Sequence, residues 1–114
     1  MAKLSGIVRY REGTPVVKEG ASGSVFFVIL EGKAKVMRKG RTVGRLRRGD
    51  FFGEMSLLDG EPRTASVVTE ADSTFLTVAA REFQRVLARE PNLALRMLQV
   101  VAGRLRATER PLVD

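Results

Sequence analysis

The chain has 114 residues, 44% of them apolar, with twenty Lys and Arg against thirteen Asp and Glu, a net charge of +7. That length suits one domain with a modest core, and a charge of this sign suits anionic partners: nucleic acid, anionic lipid or a phosphorylated small molecule. With no cysteine and no histidine, disulfides, thiolate chemistry, zinc sites and His-dependent triads fall away together.

In chain order, residues 1–6 carry no apolar stretch long enough for a signal peptide, and no later run is long enough to span a membrane. These absences predict a cytoplasmic location. Val16 to Val36 reads as strands. A continuous apolar run, Val25 to Leu30, is followed by a Glu-Gly turn and then by alternation through Lys33, Ala34, Lys35 and Val36. A buried strand beside a half-exposed one gives this pattern. Glycines recur at short intervals from Gly6 to Gly60, as in a small antiparallel barrel or sandwich. Val67-Val68 and Phe75-Leu76-Val78 supply two further strands, with "TEADS" as their turn. After Val78 the period changes. Phe83, Val86 and Leu87 take helical spacing, Pro91 opens a new helix, and Leu93, Met97, Val100, Val101, Leu105 and Thr108 form one stripe. The expectation is a β-rich region over 7–78, then helices over 80–89 and 91–109. There is no internal repeat and no interdomain linker, so 1–114 reads as a single domain.

The chemistry concentrates in "FFGEMSLLDGEPRTASVV", Phe51 to Val68. Gly53 lets backbone approach a ligand closely. Glu54 to Leu58 can form one helical turn, stopped by Asp59-Gly60, whose amino end presents unpaired N–H groups to an anion. Arg63 follows a proline and can fork onto two phosphate oxygens, and Thr64 adds a hydroxyl. Glu54, ionised, only accepts hydrogen bonds, so it needs a donor such as a ribose hydroxyl. Read this way, the stretch is a pocket for a phosphate fused to a sugar. A Glu54–Arg63 pair across a surface loop accounts for the same spacing, at about 0–1 kcal/mol.

"GDFFGEMSLLDGEPRTASV", Gly49 to Val67, resembles the phosphate-binding cassette of the cyclic nucleotide-binding domain family. That family includes catabolite activator proteins, kinase regulatory subunits and cyclic nucleotide-gated channels. The pattern F-G-E-x-[AS]-L-L-x-x-x-P-R-[TSA]-A is matched at almost every position. "REGTPVVKEGASGSVFFVILEGKAKV" resembles the family's first strands, and the likeness runs from about Ile7 to Thr108. It implies a mainly β fold: a small antiparallel jelly-roll barrel carrying the cassette, followed by two α-helices. It also implies a non-catalytic sensor with no metal and no cofactor, whose ligand is cyclic AMP or cyclic GMP. Glu54 would take the ribose 2′-hydroxyl and Arg63 the cyclic phosphate. Backbone N–H groups of Met55, Ser56 and Thr64 would complete the cradle, with Gly53 giving clearance. Val43 and Leu46 would face the base, and Arg104 and Thr108 would stand near its cap. Small residues at position 64 go with cyclic AMP in the family, while Thr64 can reach a guanine amino group. Cyclic AMP is the favoured ligand. Signalling would run through the last helices to a protein partner or a second copy.

The chain departs from the family in two places. Only residues 1–6 precede the first strand, so the usual leading helical element is expected to be missing or minimal. Six residues follow Thr108, so no helix-turn-helix DNA-binding domain is expected. Eight basic residues between Lys33 and Arg48 support a second reading, a module that binds nucleic acid or an anionic surface through this patch. No aromatic residue is interleaved there to stack on bases, and a solvated hairpin face accounts for the same charges. The pairs Phe26-Phe27 and Phe51-Phe52 are read as core.

Overall fold

The computed structural model describes residues 6–54, 56 and 60–108, without the side chains of 105, 107 and 108. Eight strands are laid out in chain order: β1 (Gly6–Tyr10), β2 (Pro15–Val17), β3 (Val25–Glu31), β4 (Lys33–Arg38), β5 (Arg41–Arg47), β6 (Phe51–Phe52), β7 (Ser66–Thr69) and β8 (Ser73–Ala79). Two helices follow, α1 (Ala80–Arg89) and α2 (Pro91–Thr108). The strands form two four-stranded sheets, ordered β1-β8-β3-β6 and β2-β7-β4-β5, and every pairing is antiparallel. This is the jelly-roll arrangement with two closing helices that the resemblance implied. By its contacts the chain divides into a β unit ending at Glu82 and a helical unit beginning at Phe83.

Both sheets turn one face inward. The first contributes Phe27, Ile29, Phe52 and Phe75, and the second contributes Ala34, Leu46 and Val67. Strand periodicity fixes this set. In β3 the alternate residues Phe27 and Ile29 point in, and in β4 Ala34 is inward between outward Lys33 and Lys35. Phe27 stacks on Phe52 at 4.7 Å, and Phe75 meets both edge-on at 6.2 and 5.6 Å. Offset and edge-to-face contacts of this kind add stabilisation beyond the buried area. Phe26 and Phe51 form a second ring pair, 5.4 Å apart, at the positions that alternate to the other face. Phe26 is buried, while Phe51 is only partly so.

Thr69 shows how buried polar groups are satisfied. Its hydroxyl donates to the Arg11 carbonyl at 2.6 Å and accepts from the Thr14 N–H at 2.8 Å. One side chain thus fastens the β1–β2 turn to β7.

The sequence-based elements need two adjustments. The run from Val16 to Val36 is interrupted, because residues 18–24 form a glycine-containing loop between β2 and β3. The "TEADS" turn is shorter than its five residues, since Thr69 closes β7 and Ser73 opens β8. The buried hydroxyls of Thr69 and Ser73 bond backbone carbonyls, which lets both residues enter the strands. The second helix runs through Thr108, and its expected end at 109 lies outside the described residues.

Phe75 is fully buried on β8, between β1 and β3. Phe75→Ala is expected to lower unfolding stability by about 3–5 kcal/mol. Urea unfolding followed by far-UV circular dichroism measures this, and a loss below about 1 kcal/mol would contradict the packing described.

Candidate functional site

The site grows out of the end of β6. Phe51-Phe52 pairs with β3, and Gly53 then turns the chain with φ of 93°. Glu54 and Ser56 are helical, and the Gly60 N–H donates to the Ser56 carbonyl at 3.0 Å, closing the turn. Glu54 and Ser56 are both buried, 5% and 6% exposed. Met55 lies outside the described residues.

Arg63 is the centre of the arrangement. Although charged, it is only 7% exposed. Its Nη1 donates to the Gly53 carbonyl at 3.0 Å and its Nη2 to the Val25 carbonyl at 2.8 Å. Its backbone is held as firmly: Gly20 N–H donates to the Arg63 carbonyl and Arg63 N–H to the Ala21 carbonyl, both at 2.8 Å. Burial pulls the Arg63 guanidinium below its ordinary range, and the Glu54 carboxylate pushes it back up. A desolvated arginine stays charged because it is surrounded by acceptors and an opposite charge.

Two glycines make room for this side chain. A Cβ on Gly53 would come within 2.8 Å of both Arg63 Nη1 and the Val25 carbonyl oxygen. A Cβ on Gly23 would overlap the Arg63 Cζ and Nε outright. Sequence reading missed Gly23 and the Val25 carbonyl. The signal for the first was there, in the small-residue run Gly20-Ala21-Ser22-Gly23-Ser24 just before an apolar strand. The second is a main-chain group, invisible in residue types.

A cleft of about 330 Å³ opens beside Arg63. Its walls are the segment from Pro15 to Lys18, the loop from Ala21 to Val25, and Phe27. The volume is at the lower end of the range for small-molecule sites.

The structure therefore brings Gly53, Glu54, Arg63 and the unpredicted loop 20–25 together. It distributes the other expected residues differently. Thr64 is exposed, and its carbonyl accepts from Arg38 Nε at 3.2 Å. Leu46 is part of the packed core, and Val43 is 56% exposed. Among the described residues, Arg63 lines the cleft, while Gly53, Glu54, Ser56, Thr64, Val43 and Leu46 do not. Arg104 is half-buried on α2, and the Thr108 side chain lies outside the described residues. Among the described residues, no cluster of carboxylates could hold a metal.

Residues 7–90 match the sequence profile of the cyclic nucleotide-binding domain. The chain belongs to the cyclic nucleotide-binding domain family. It is 36% identical over 96 residues, 84% of its length, to a cGMP-dependent protein kinase of Toxoplasma gondii. It is 39% identical over 82 residues, 70% of its length, to a cAMP-dependent protein kinase regulatory subunit of Aspergillus fumigatus. The chain spans only 10% and 20% of those two relatives. In fold it is similar to the crystal structure of Thermus thermophilus catabolite activator protein, with a TM-score of 0.83 and 31% identity, covering 91% of this chain and 51% of that one. Among the described residues, no helix is long and apolar enough to cross a membrane.

Gly53→Ala forces a side chain into a left-handed backbone and against the Val25 carbonyl. Its expected cost is about 1–3 kcal/mol of stability, measured by denaturant unfolding. A neutral substitution would show that the Gly53–Arg63–Val25 contact is not tight.

Proposed function

We propose that this cyclic nucleotide-binding domain is a non-catalytic sensor with cyclic AMP as its preferred ligand and cyclic GMP as the weaker one. One observation carries this reading. A buried arginine stands at the wall of a small-molecule-sized cleft, within the electrostatic reach of a buried carboxylate.

The guanidinium has five N–H donors in a fixed fork. Two hydrogen bonds, to Gly53 and Val25, orient it. Its other N–H groups suit the oxygens of a cyclic phosphate, and a partly desolvated site strengthens that charge-assisted contact. Backbone N–H groups of Ser56 and Thr64 would share the phosphate. Glu54 would accept from the ribose 2′-hydroxyl, the part of the ligand that offers a donor. The chain has no histidine or cysteine, and among the described residues no cluster could hold a metal, so the proposed role is binding alone.

The nucleotide preference rests on Thr64. A hydroxyl there serves a guanine amino group, yet Thr64 is exposed, which leaves cyclic GMP without the enclosed partner that strong discrimination requires. Relatives named for each nucleotide match the chain at similar identity. The output would be a change in α1 and α2. Ligand shifts that equilibrium only through its differential affinity for the two states.

Titration calorimetry with both nucleotides tests the proposal. Cyclic AMP is expected to bind more tightly than cyclic GMP, and no heat with either at millimolar ligand would refute it. Arg63→Ala is expected to weaken binding by about 2–5 kcal/mol, the range for truncating one partner of a desolvated charge pair. A loss below about 1.4 kcal/mol, tenfold in affinity, would remove Arg63 from the phosphate. Hydrogen exchange over 80–108 should slow when ligand is added. Unchanged exchange there would separate binding from signalling through the helices.

A further inference from the structure

The outer face of the β4–β5 hairpin carries an arrangement that nucleotide binding does not use. Lys33 lies directly across from Arg47, Lys35 from Arg45 and Arg38 from Arg41. Every charged cross-strand pair of the hairpin is therefore cation against cation. Like charges directly opposite one another destabilise a sheet. Lys33, Lys35, Arg45 and Arg47 share one face, because the intervening pair Ala34 and Leu46 is buried on the other. Neighbouring strands and alternate residues place these four cations at the corners of a patch of about 5 Å by about 7 Å. Among the described residues, one carboxylate meets the set: Glu70 accepts from Arg45 Nε at 3.1 Å.

Guarding an exposed edge explains only part of this. β5 is the edge strand of its sheet, and basic residues on an edge discourage stray pairing. The edge already has other protection, however. The register shifts between Val36 and Met37 where β5 fits in an extra residue, Val43. At its far end, Arg47 exchanges hydrogen bonds with Asp50. Lys33 and Lys35, moreover, sit on β4, an inner strand between β5 and β7, where no edge needs guarding.

We propose that this face docks an extended acidic segment of a protein partner. Carboxylates on alternate residues of an extended chain recur at about 7 Å, the same spacing that separates Lys33 from Lys35 and Arg45 from Arg47. Val68 lies directly across β4 from Lys35, and Met37 follows two residues along the same face. They border the cations with apolar surface on which a polypeptide can rest. The patch lacks the aromatic side chains that stack on bases.

The probe is a fluorescein-labelled peptide with Glu at every second position separated by Thr. Its control has the same composition with the Glu residues contiguous. Fluorescence anisotropy at physiological salt should show saturable binding of the alternating peptide, at least about tenfold tighter than the control. Lys35→Glu supplies a carboxylate opposite Arg45. It should raise the melting temperature by removing a repulsion, and should weaken the peptide by about tenfold or more while leaving cyclic AMP binding unchanged. Lys33→Glu, opposite Arg47, should do the same. Equal binding of the two peptides, or tighter binding of a single-stranded oligothymidine than of either, would overturn the proposal. So would a Lys35→Glu protein that keeps the peptide.

Discussion

The fold's dependence on a single buried cation begins with where Arg63 sits. An arginine taken out of water is stable only when surrounding groups return what hydration supplied. Here the return comes from the carbonyls of Gly53 and Val25 and the charge of Glu54. Those groups belong to the end of β6, the start of β3 and the helical turn. The main-chain bonds of Arg63 to Gly20 and Ala21 add the loop between β2 and β3. Two stretches far apart in sequence, 20–25 and 53–54, are thereby fixed in relation to one guanidinium. An anion that reaches it meets a donor already oriented, with little reorganisation left to make.

That constraint also explains the glycines. Gly53 is required by its backbone angle and by the closeness of Val25, and Gly23 by the guanidinium lying over it. Nothing larger than hydrogen fits at either position while Arg63 stays where it is. The phenylalanine cluster under the site has a complementary task. Phe27, in the wall of the cleft, stacks on Phe52, immediately before Gly53. The hydrophobic core thus sets the position from which the cassette departs.

Much of this was legible in the sequence. The apolar run from Val25 and the alternation through Val36 placed two strands, because a two-residue period leaves little freedom over which side chains face inward. The change to helical spacing after Val78 placed both helices. Glu54 and Arg63 stood out through their resemblance to a cassette, where spacing alone slightly favoured a surface ion pair. The loop at 18–24 and the role of Gly23 were missed, although the run Gly20-Ala21-Ser22-Gly23-Ser24 carried the signal. Main-chain carbonyls that seat a guanidinium leave no mark in residue types. Leu46, which the resemblance set facing the base, belongs to the packed core. The basic hairpin was legible as charge. Only the strand register showed that its cations oppose one another in pairs.

The central claim is that the Arg63 guanidinium, held on two carbonyls, is the group that receives the ligand's phosphate. Nitrogen-15 NMR of arginine side chains during a cyclic AMP titration addresses that atom group directly. In the free protein the Arg63 Nε–H and Nη–H signals should be resolved and slow to exchange with water. On adding ligand they should shift and saturate in a one-to-one ratio with it. An Arg63 signal that stays unmoved while cyclic AMP binds would contradict the account.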